Sequence, residues 1–540
     1  MRSFLTRISS PFILLAIVVF SFFLSLKAGE RGFFAFDQSI VFDGSYRILC
    51  GQVPYKDFIM PIGPMVFWLQ AVFFKLFGTN YFSYLAGAAS ANVLAVICSL
   101  IITRLLFPSH KFLSYIAGLL TAIWFYPPFG TPWAEQTAFL FSFLGVTFVL
   151  AARHYRKFSL LLLSGCFALL SLLSKQNAGL FILPLYFILL FTCYAPEFKL
   201  VLRGCFMLLA GFTASGLLFF LWLWAKSDLK IFFQYFFQIP SLLGAYRLLE
   251  EKADLLTIFF GGSCHHNPLH GLPLGIRLIF SFIFLSAVFV SVYYLRNYKK
   301  IKDSWRTEFL ASVLCIYLIF FQYLFIHTTM NEAKNGIPFT GLIFAIGLGL
   351  LLRLSNNRGM AKIRPLALIS ASLLVSFLCL AGIRVSFARE IQQFRGAKFP
   401  KYLSIDKLKA LKWGQPTIVG GEDVKEEDMV NLVNYLRAEK KNFFIFPNFT
   451  FLYAVLGVPS PQPVLWFHKG LTYHVLYDPE LDKWIVGDLI KNKVEIVVIE
   501  EKPVCGTLDD LWRMKAYIDN NFIKTQKFGI FNIYQRIAAR

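Results

Sequence analysis

The residues able to do chemistry in this chain are few, and most of them sit at the edges of long apolar runs. After the first run come Phe36-Asp37-Gln38, then Asp43-Gly44-Ser45-Tyr46-Arg47, then Gly51-Gln52-Val53-Pro54-Tyr55-Lys56-Asp57-Phe58, then Pro61-Ile62-Gly63-Pro64. Further along, Glu135 opens an apolar run in Trp133-Ala134-Glu135, Lys175 closes another in Ser174-Lys175-Gln176-Asn177, and Arg277 stands near the start of a third. An ionisable side chain at such a position is expensive to keep out of water and is a functional candidate for that reason. A carboxylate with an ordinary pKa of about 3.9 is ionised at neutral pH and can take a proton from a hydroxyl that becomes acidic late in a reaction. Each residue also has a plainer reading. Asp37 could cap a helix. Asp43 and Arg47, four apart, could form a surface ion pair, and Asp57 could cap the helix that follows its turn. Glu135 could complement a helix dipole, and Lys175 could snorkel from a helix end. For Arg247 and Lys334 an ordinary solvated charge is the better reading.

The elements that must position these groups follow from composition. The chain has 540 residues, of which 57% are hydrophobic and 16% charged, with 62 phenylalanines and mean hydropathy +0.60. A soluble globule cannot bury that much apolar surface, and intrinsic disorder or polar repeats are equally excluded. The expected fold class is an all-α polytopic membrane domain, of about eleven transmembrane helices plus outer interfacial helices, with a small C-terminal α/β extracytoplasmic domain. Runs near the 20 residues that a bilayer core requires fall at 9–26, 81–106, 112–127, 135–152, 158–174, 178–194, 202–224, 272–294, 308–326, 337–353 and 364–384. The first follows Arg2 and Arg7, lacks a small-x-small cleavage site and reads as an uncleaved helix.

A twelfth run, 62–77, is short and interrupted by Gln70 and Lys75. Basic residues stay on the cytoplasmic side in short loops. If 62–77 does not cross, the N-terminus and the loops 104–111, 153–157, 196–203, 296–306 and 353–364, all basic, share that side. It therefore reads as an amphipathic helix in the outer interface, with Trp68 and its phenylalanines in lipid. Residues 27–80, 128–134, the turn at 175–177, 225–271, 327–336 and everything after about 385 then face outward. A plasma (inner) membrane location is expected, with the N-terminus cytoplasmic. The net charge of +22 reflects retention of these loops, and no aromatic-basic motif points to nucleic acid.

From about Phe387 the composition becomes that of a soluble domain, giving 1–386 as the membrane domain and 387–540 as the α/β domain. Strands are expected at 443–447 and 494–500, helices near 449–457, 482–491 and 511–521, and a hairpin near 524–537. Asn448-Phe449-Thr450 is a glycosylation sequon. Of nine cysteines, six lie in apolar runs and behave as small hydrophobes, and Cys50, Cys264 and Cys505 have no pairing that spacing establishes. The segment Gly261-Gly262-Ser263-Cys264-His265-His266-Asn267-Pro268-Leu269-His270 could bind a divalent cation, but its spacing matches no tetrahedral signature and an exposed loop is its default reading. No cofactor is required with certainty.

The order aspartate, helix, Gly-x-x-Pro-Tyr-x-Asp-Phe, Pro-x-Gly-Pro and an amphipathic helix ending Leu76-Phe77-Gly78 resembles the first outer loop of polyprenyl-phosphate-sugar-dependent GT-C glycosyltransferases, which include protein O-mannosyltransferases and aminoarabinose lipid A transferases. The likeness continues at Trp133-Ala134-Glu135, at Ser174–Gly179, at Phe443–Pro447 with Leu452-Tyr453, and at Val494–Ile499. It implies transfer of a sugar from a polyprenyl-phosphate donor to a hydroxyl of a lipid, glycan or protein acceptor, with inversion. Asp37 would be the base, and Lys175 and Arg277 would meet the donor phosphate. Glu135, Tyr55, Asp57 and Gln38 would contact substrate. Where the family usually carries Asp-Glu this chain has Asp37-Gln38, one carboxylate fewer. Two other classes remain open: a flippase of lipid-linked sugars, and an assembly factor that kept the fold without the chemistry. A flippase should show midplane charges and paired repeats. No repeat is seen, and the charges lie at the outer rim.

Overall fold

The computed structural model describes residues 2–194, 197–242, 274–296, 306–329, 338–355, 364–389, 394, 398–414, 424–465, 467–468, 472, 480–501, 503 and 506–537. Side chains are described in the same segments except at 2–10, 274–281, 294, 306, 322–329, 354–355 and 364–367.

Each of the eleven apolar runs is helical. The chain opens with α1 (Arg2–Gly29), α2 (Ala35–Leu49), α3 (Met65–Phe77), α4 (Tyr81–Leu106), α5 (Lys111–Trp124), α6 (Ala134–Tyr155), α7 (Leu160–Leu172), α8 (Gln176–Tyr194), α9 (Phe198–Lys226) and α10 (Leu229–Phe232), which continues into a π-helical turn, Phe233–Gln238. Four more apolar helices follow, Leu274–Arg296, Arg306–Thr329, Thr340–Ser355 and Arg364–Ala388. Six helices among the described residues, rather than eleven, are long and apolar enough to cross a membrane: α1, α4, α6, α8, α9 and the last. The rest offer apolar stretches of 10–17 described residues. The shortening has local causes. α5 stops at Trp124 as the chain nears Pro127-Pro128, since proline lacks the N–H a helix needs and disfavours helical backbone in the residue before it. α7 stops at Leu172, just before the polar Ser174–Asn177 turn.

Polar side chains inside the bundle tie helices together instead of facing lipid. Asn92 of α4 donates to Ser21 Oγ of α1 at 2.9 Å and to the Ala122 carbonyl of α5 at 2.9 Å, and accepts from the Tyr126 N–H at 3.3 Å. Trp124 Nε1 donates to the Leu378 carbonyl at 3.1 Å, joining α5 to the last helix.

At 13 residues, α3 is about 20 Å long, the same as α7, so its length does not set it apart from the other short apolar helices. Its burial differs from a helix floating in lipid. Phe67, Gln70 and Phe74 are buried, and Trp68 packs edge-on against Trp222 of α9 at 4.8 Å. Val72, Leu76 and Phe77 are the exposed apolar residues. The expectation that its aromatic residues lie in lipid is thus corrected for Phe67, Trp68 and Phe74, which pack on protein, while Phe77 stays exposed.

The C-terminal part holds a four-stranded sheet, β1 (Phe443–Phe446), β2 (Ile496–Glu500), β3 (Phe522–Phe528) and β4 (Phe531–Arg536), in the order β1-β2-β4-β3. β1 and β2 are parallel, with Phe443 opposite Ile496, and β4 is antiparallel to both β2 and β3. Helices Phe451–Leu456, Leu481–Lys491 and Trp512–Asn521 accompany it, as does Glu426–Glu439, which the strand pattern did not suggest. The last buries Met429, Leu432, Val433 and Leu436, the i, i+3, i+4, i+7 stripe of an amphipathic helix. Asn448 is 4% exposed and donates Nδ2 to Glu500 Oε2 at 2.7 Å, so the sequon's amide is enclosed and engaged in the folded protein.

This domain is joined to the first outer segment. The Ile59 N–H donates to the Pro463 carbonyl at 2.7 Å, the Phe33 and Phe451 rings meet at 4.5 Å, and Ile59 and Val464 form a parallel bridge.

Candidate active site

α2 begins at Ala35 after Phe34, whose extended backbone makes Phe34 the N-cap, without any side-chain cap. Gln38 supplies the missing acceptor. Its Oε1 receives the Phe34 N–H at 2.7 Å while its own N–H donates to the Phe34 carbonyl at 2.9 Å, a reach-back like that of a capping box. Its Nε2 donates to Thr131 Oγ1 at 2.9 Å. A glutamate could accept the first bond, but its ionised form could not donate the second. Gln38 is fully buried with both amide atoms engaged, and so holds α2 to the loop that leads into α6. Asp37 stands in the first turn of α2 and is half-buried; it is not the N-cap.

Tyr84 of α4 reinforces the junction by donating to the Gln38 carbonyl at 3.0 Å, and it lies within electrostatic reach of Asp37. The loop then delivers Glu135 to the first turn of α6. Glu135 is 1% exposed, and Lys175 Nζ lies 3.1 Å from its Oε1. Neither Glu135 oxygen has a hydrogen bond of good geometry, and the neighbouring Gln136 Oε1 is also buried without one. Two of the candidate residues, far apart in sequence, are therefore one ion pair.

The turn bearing Lys175 is clamped from two sides. Gln176 Nε2 donates to the Pro61 carbonyl at 2.9 Å and to the Phe236 carbonyl at 2.7 Å. The Gly63 N–H reaches the Ser174 carbonyl at 3.3 Å. A Cβ on Gly63 would lie 1.7 Å from the Leu173 carbonyl oxygen, so only glycine permits this approach. Pro61-Ile62-Gly63-Pro64 is thus a seat for the lysine-bearing turn.

The other candidates divide differently. Tyr55 is fully buried with φ +62°, and its hydroxyl donates to the Ile62 carbonyl at 2.6 Å. Burial pushes its pKa well above that of an ordinary phenol. It braces the Pro61–Pro64 seat from inside. Asp57 is exposed, and its Oδ2 accepts from the Val53 N–H at 2.6 Å, closing the Pro54-Tyr55 turn. Neither side chain joins the Glu135 and Lys175 pair. The helix Leu274–Arg296 carries Arg277, whose side chain is outside the described residues, as are Arg247, Lys334, Cys505 and the whole 261–270 histidine segment. Among the described residues no group of three or more His, Cys, Asp or Glu side chains converges as a metal site.

Asp43 and Arg47 are a pair, but not a surface one. Both are fully buried, 2.9 Å apart, and Arg47 also donates to the Gln462 carbonyl at 2.6 Å and to Ser460 Oγ at 2.5 Å. Desolvation pushes the Asp43 carboxyl up to about 6 against the pull of Arg47. Arg389, just past the last helix, is a buried residue that sequence inspection passed over. Its Nε donates to the Arg31 carbonyl at 2.7 Å and Nη1 to the Phe129 carbonyl at 2.6 Å, so it pins the loop before α6 to the end of α1. Its only sequence signal is a lone arginine directly after a long apolar run. The C-terminal domain completes the enclosure: the ring of His468 stands 5.7 Å from Phe36, beside Asp37.

The whole chain shares its fold with a solved membrane protein. It matches the crystal structure of ArnT from Cupriavidus metallidurans bound to undecaprenyl phosphate at 12% identity with TM-score 0.55, each chain covered over 98%. The apo structure of the same ArnT matches at 12% identity with TM-score 0.53 and 99% coverage of each. Residues 61–224 match the family model described as dolichyl-phosphate-mannose-protein mannosyltransferase. No curated protein matches by sequence. The chain is therefore a multi-pass membrane protein with the fold of these ArnT structures, and its residues 61–224 resemble the mannosyltransferase family model.

Proposed function

We propose that the protein transfers a sugar from a polyprenyl-phosphate carrier to an acceptor hydroxyl at the outer face of the membrane. Its eleven apolar runs would be spans, with the N-terminus cytoplasmic and the C-terminal domain extracytoplasmic. The observation that carries the reading is that hydrogen bonds and one ion pair join the first turn of α2, the loop and first turn of α6, and the turn at 173–176. Through these contacts a carboxylate and a cation share one membrane end.

The acceptor oxygen attacks the anomeric carbon as the bond from that carbon to the phosphate oxygen breaks. The electron pair leaves with the polyprenyl phosphate, and the hydroxyl proton passes to Asp37. Displacement from the opposite face inverts the anomeric centre. The leaving phosphate is already a weak base, so it needs positive charge more than it needs a proton, and Lys175 supplies that charge with Arg277 as its second candidate. Glu135 holds the lysine until the donor arrives. Gln38, Tyr55 and Asp57 act as positioning residues for the loop that carries Asp37 and the Pro61–Pro64 seat.

The test is Asp37→Asn against wild type in lipid nanodiscs, with a panel of radiolabelled polyprenyl-phosphate sugars and total membrane extract as the acceptor source. Loss of about 10² to 10⁴-fold in transfer, with an unchanged Tm, is the expectation for a general base. Wild-type turnover by the variant would sink the assignment.

A further inference from the structure

At the other end of the helical domain, away from the site just described, a cavity of about 370 Å³ opens among four helix ends. The last turns of α4, α6 and the helix Thr340–Ser355 surround it, together with the first turn of the helix Arg306–Thr329. Its volume lies within the range of about 300–1,000 Å³ typical of small-molecule sites. Deeper between the same helices, the gap lined by Ile102, Phe143 and Leu314 admits only about 10 Å³. Among the described residues these helices are therefore packed more closely inside than at this end.

Arg153 and Arg353 face the cavity from two different helices. Basic side chains in a last helical turn are common because the dipole favours them there, which explains where the arginines are but not the space between them. Their partners are also incomplete. Arg153 Nη2 reaches Thr307 Oγ1 at 3.4 Å, a long contact, and the Nε of Arg353, 3.2 Å from Glu308 Oε1, is buried without a well-formed hydrogen bond. Among the described residues, one carboxylate thus stands against two guanidinium groups. The remaining wall carries Leu105, Leu106, Leu150 and Leu310 together with Pro108 and the His154 ring. Leu105 continues the α4 face on which Ile97 and Ile101 are 37% and 40% exposed, four residues apart and hence on one stripe. The cavity mouth is continuous with a lipid-facing surface.

We infer that this cavity binds the headgroup of an anionic phospholipid from the leaflet opposite the candidate active site. The phosphate lies between Arg153 and Arg353, where guanidinium forks match its geometry. Thr307 offers a hydroxyl donor, and an acyl chain runs out along the leucines and the α4 stripe. Basic pockets between helices are a recognised mode of headgroup binding. A free inorganic anion would gain nothing from the leucine wall, which decides between the two sources of phosphate.

The experiment uses the purified full-length protein in detergent and follows Tm during titration with phosphatidylglycerol, phosphatidylcholine or inorganic phosphate. The variants are Arg153→Gln and, separately, Arg353→Gln combined with Glu308→Gln, which leaves no unpaired buried carboxylate. Phosphatidylglycerol should raise the wild-type Tm saturably, while phosphatidylcholine and phosphate should not. Each variant should need about tenfold or more phosphatidylglycerol to reach half-saturation, as expected for loss of a charge-assisted bond. An unchanged midpoint in both variants overturns the site. An equal rise with inorganic phosphate overturns the lipid and leaves a free-anion site. If Arg153→Gln does not fold, the charge-neutral double variant decides alone.

Discussion

Glu135 and Lys175 form one ion pair whose structural role and proposed role at the donor phosphate can be separated by experiment. The carboxylate is buried and lacks good hydrogen bonds, so Lys175 is what makes its burial tolerable. Lys175→Met should cost about 3 kcal/mol or more, the usual consequence of leaving a buried charge alone. Combining it with Glu135→Gln should return Tm to near the wild-type value while transfer stays impaired, because the phosphate then lacks the Lys175 charge. Tm and turnover across the four proteins of this cycle are the measurement, and recovery of both together would make the pair purely structural. Glu500 gives a separate prediction about pH. Burial lifts its carboxyl from 4.5 to about 7, with the Asn448 amide opposing. The folded state thus holds this proton more tightly than the unfolded chain does, and the stability it lends is full below about pH 4.5 and is lost as pH rises through about 7. The loss amounts to about 3 kcal/mol from a shift of this size. Glu500→Gln should flatten that part of the Tm profile between pH 5 and 8, and an unaltered slope would count against it.

Among the elements, α2 has the most demanding position, since it presents Asp37 at one end and receives the C-terminal domain along its side. Four-residue spacing puts Asp43 and Arg47 on one face, and the domain's Ser460 and Gln462 cover that face. Arg47→Met should destabilise the protein by about 3–5 kcal/mol, because Asp43 would remain buried without its partner. Limited proteolysis should then cut near 460–465 at concentrations that leave wild type intact. Asp43→Asn added to it should restore part of the resistance. α3 shows how an apolar helix can be found in the sequence and its surroundings still be misassigned. Hydropathy cannot say whether Phe67 and Phe74 meet lipid or protein. The helix Glu426–Glu439 carried its stripe in the sequence, in a segment to which no element was assigned.

At the level of the whole molecule, the membrane bundle and the sheet domain meet over the outer segment from Arg31 to Pro64, and the candidate site lies beneath that junction. Arg389, bonded to Arg31 and Phe129, and Arg47, bonded to Gln462, are buried cations that fasten the two parts. From the sequence alone came the membrane class, the positions of the apolar helices, the strands of the small domain and the edge charges Asp37, Glu135 and Lys175. All of these follow from local composition and period, because the preference of a segment for lipid or for a pleated sheet is a sum over its own residues. The tertiary structure decided that Glu135 pairs with Lys175, that Gln38, Tyr55 and Asp57 are fastened into the loop that frames the site, and that Asp43 and Arg47 are buried. These outcomes depend on which distant groups arrive beside a side chain, and a buried polar atom takes its role from the partner that satisfies it.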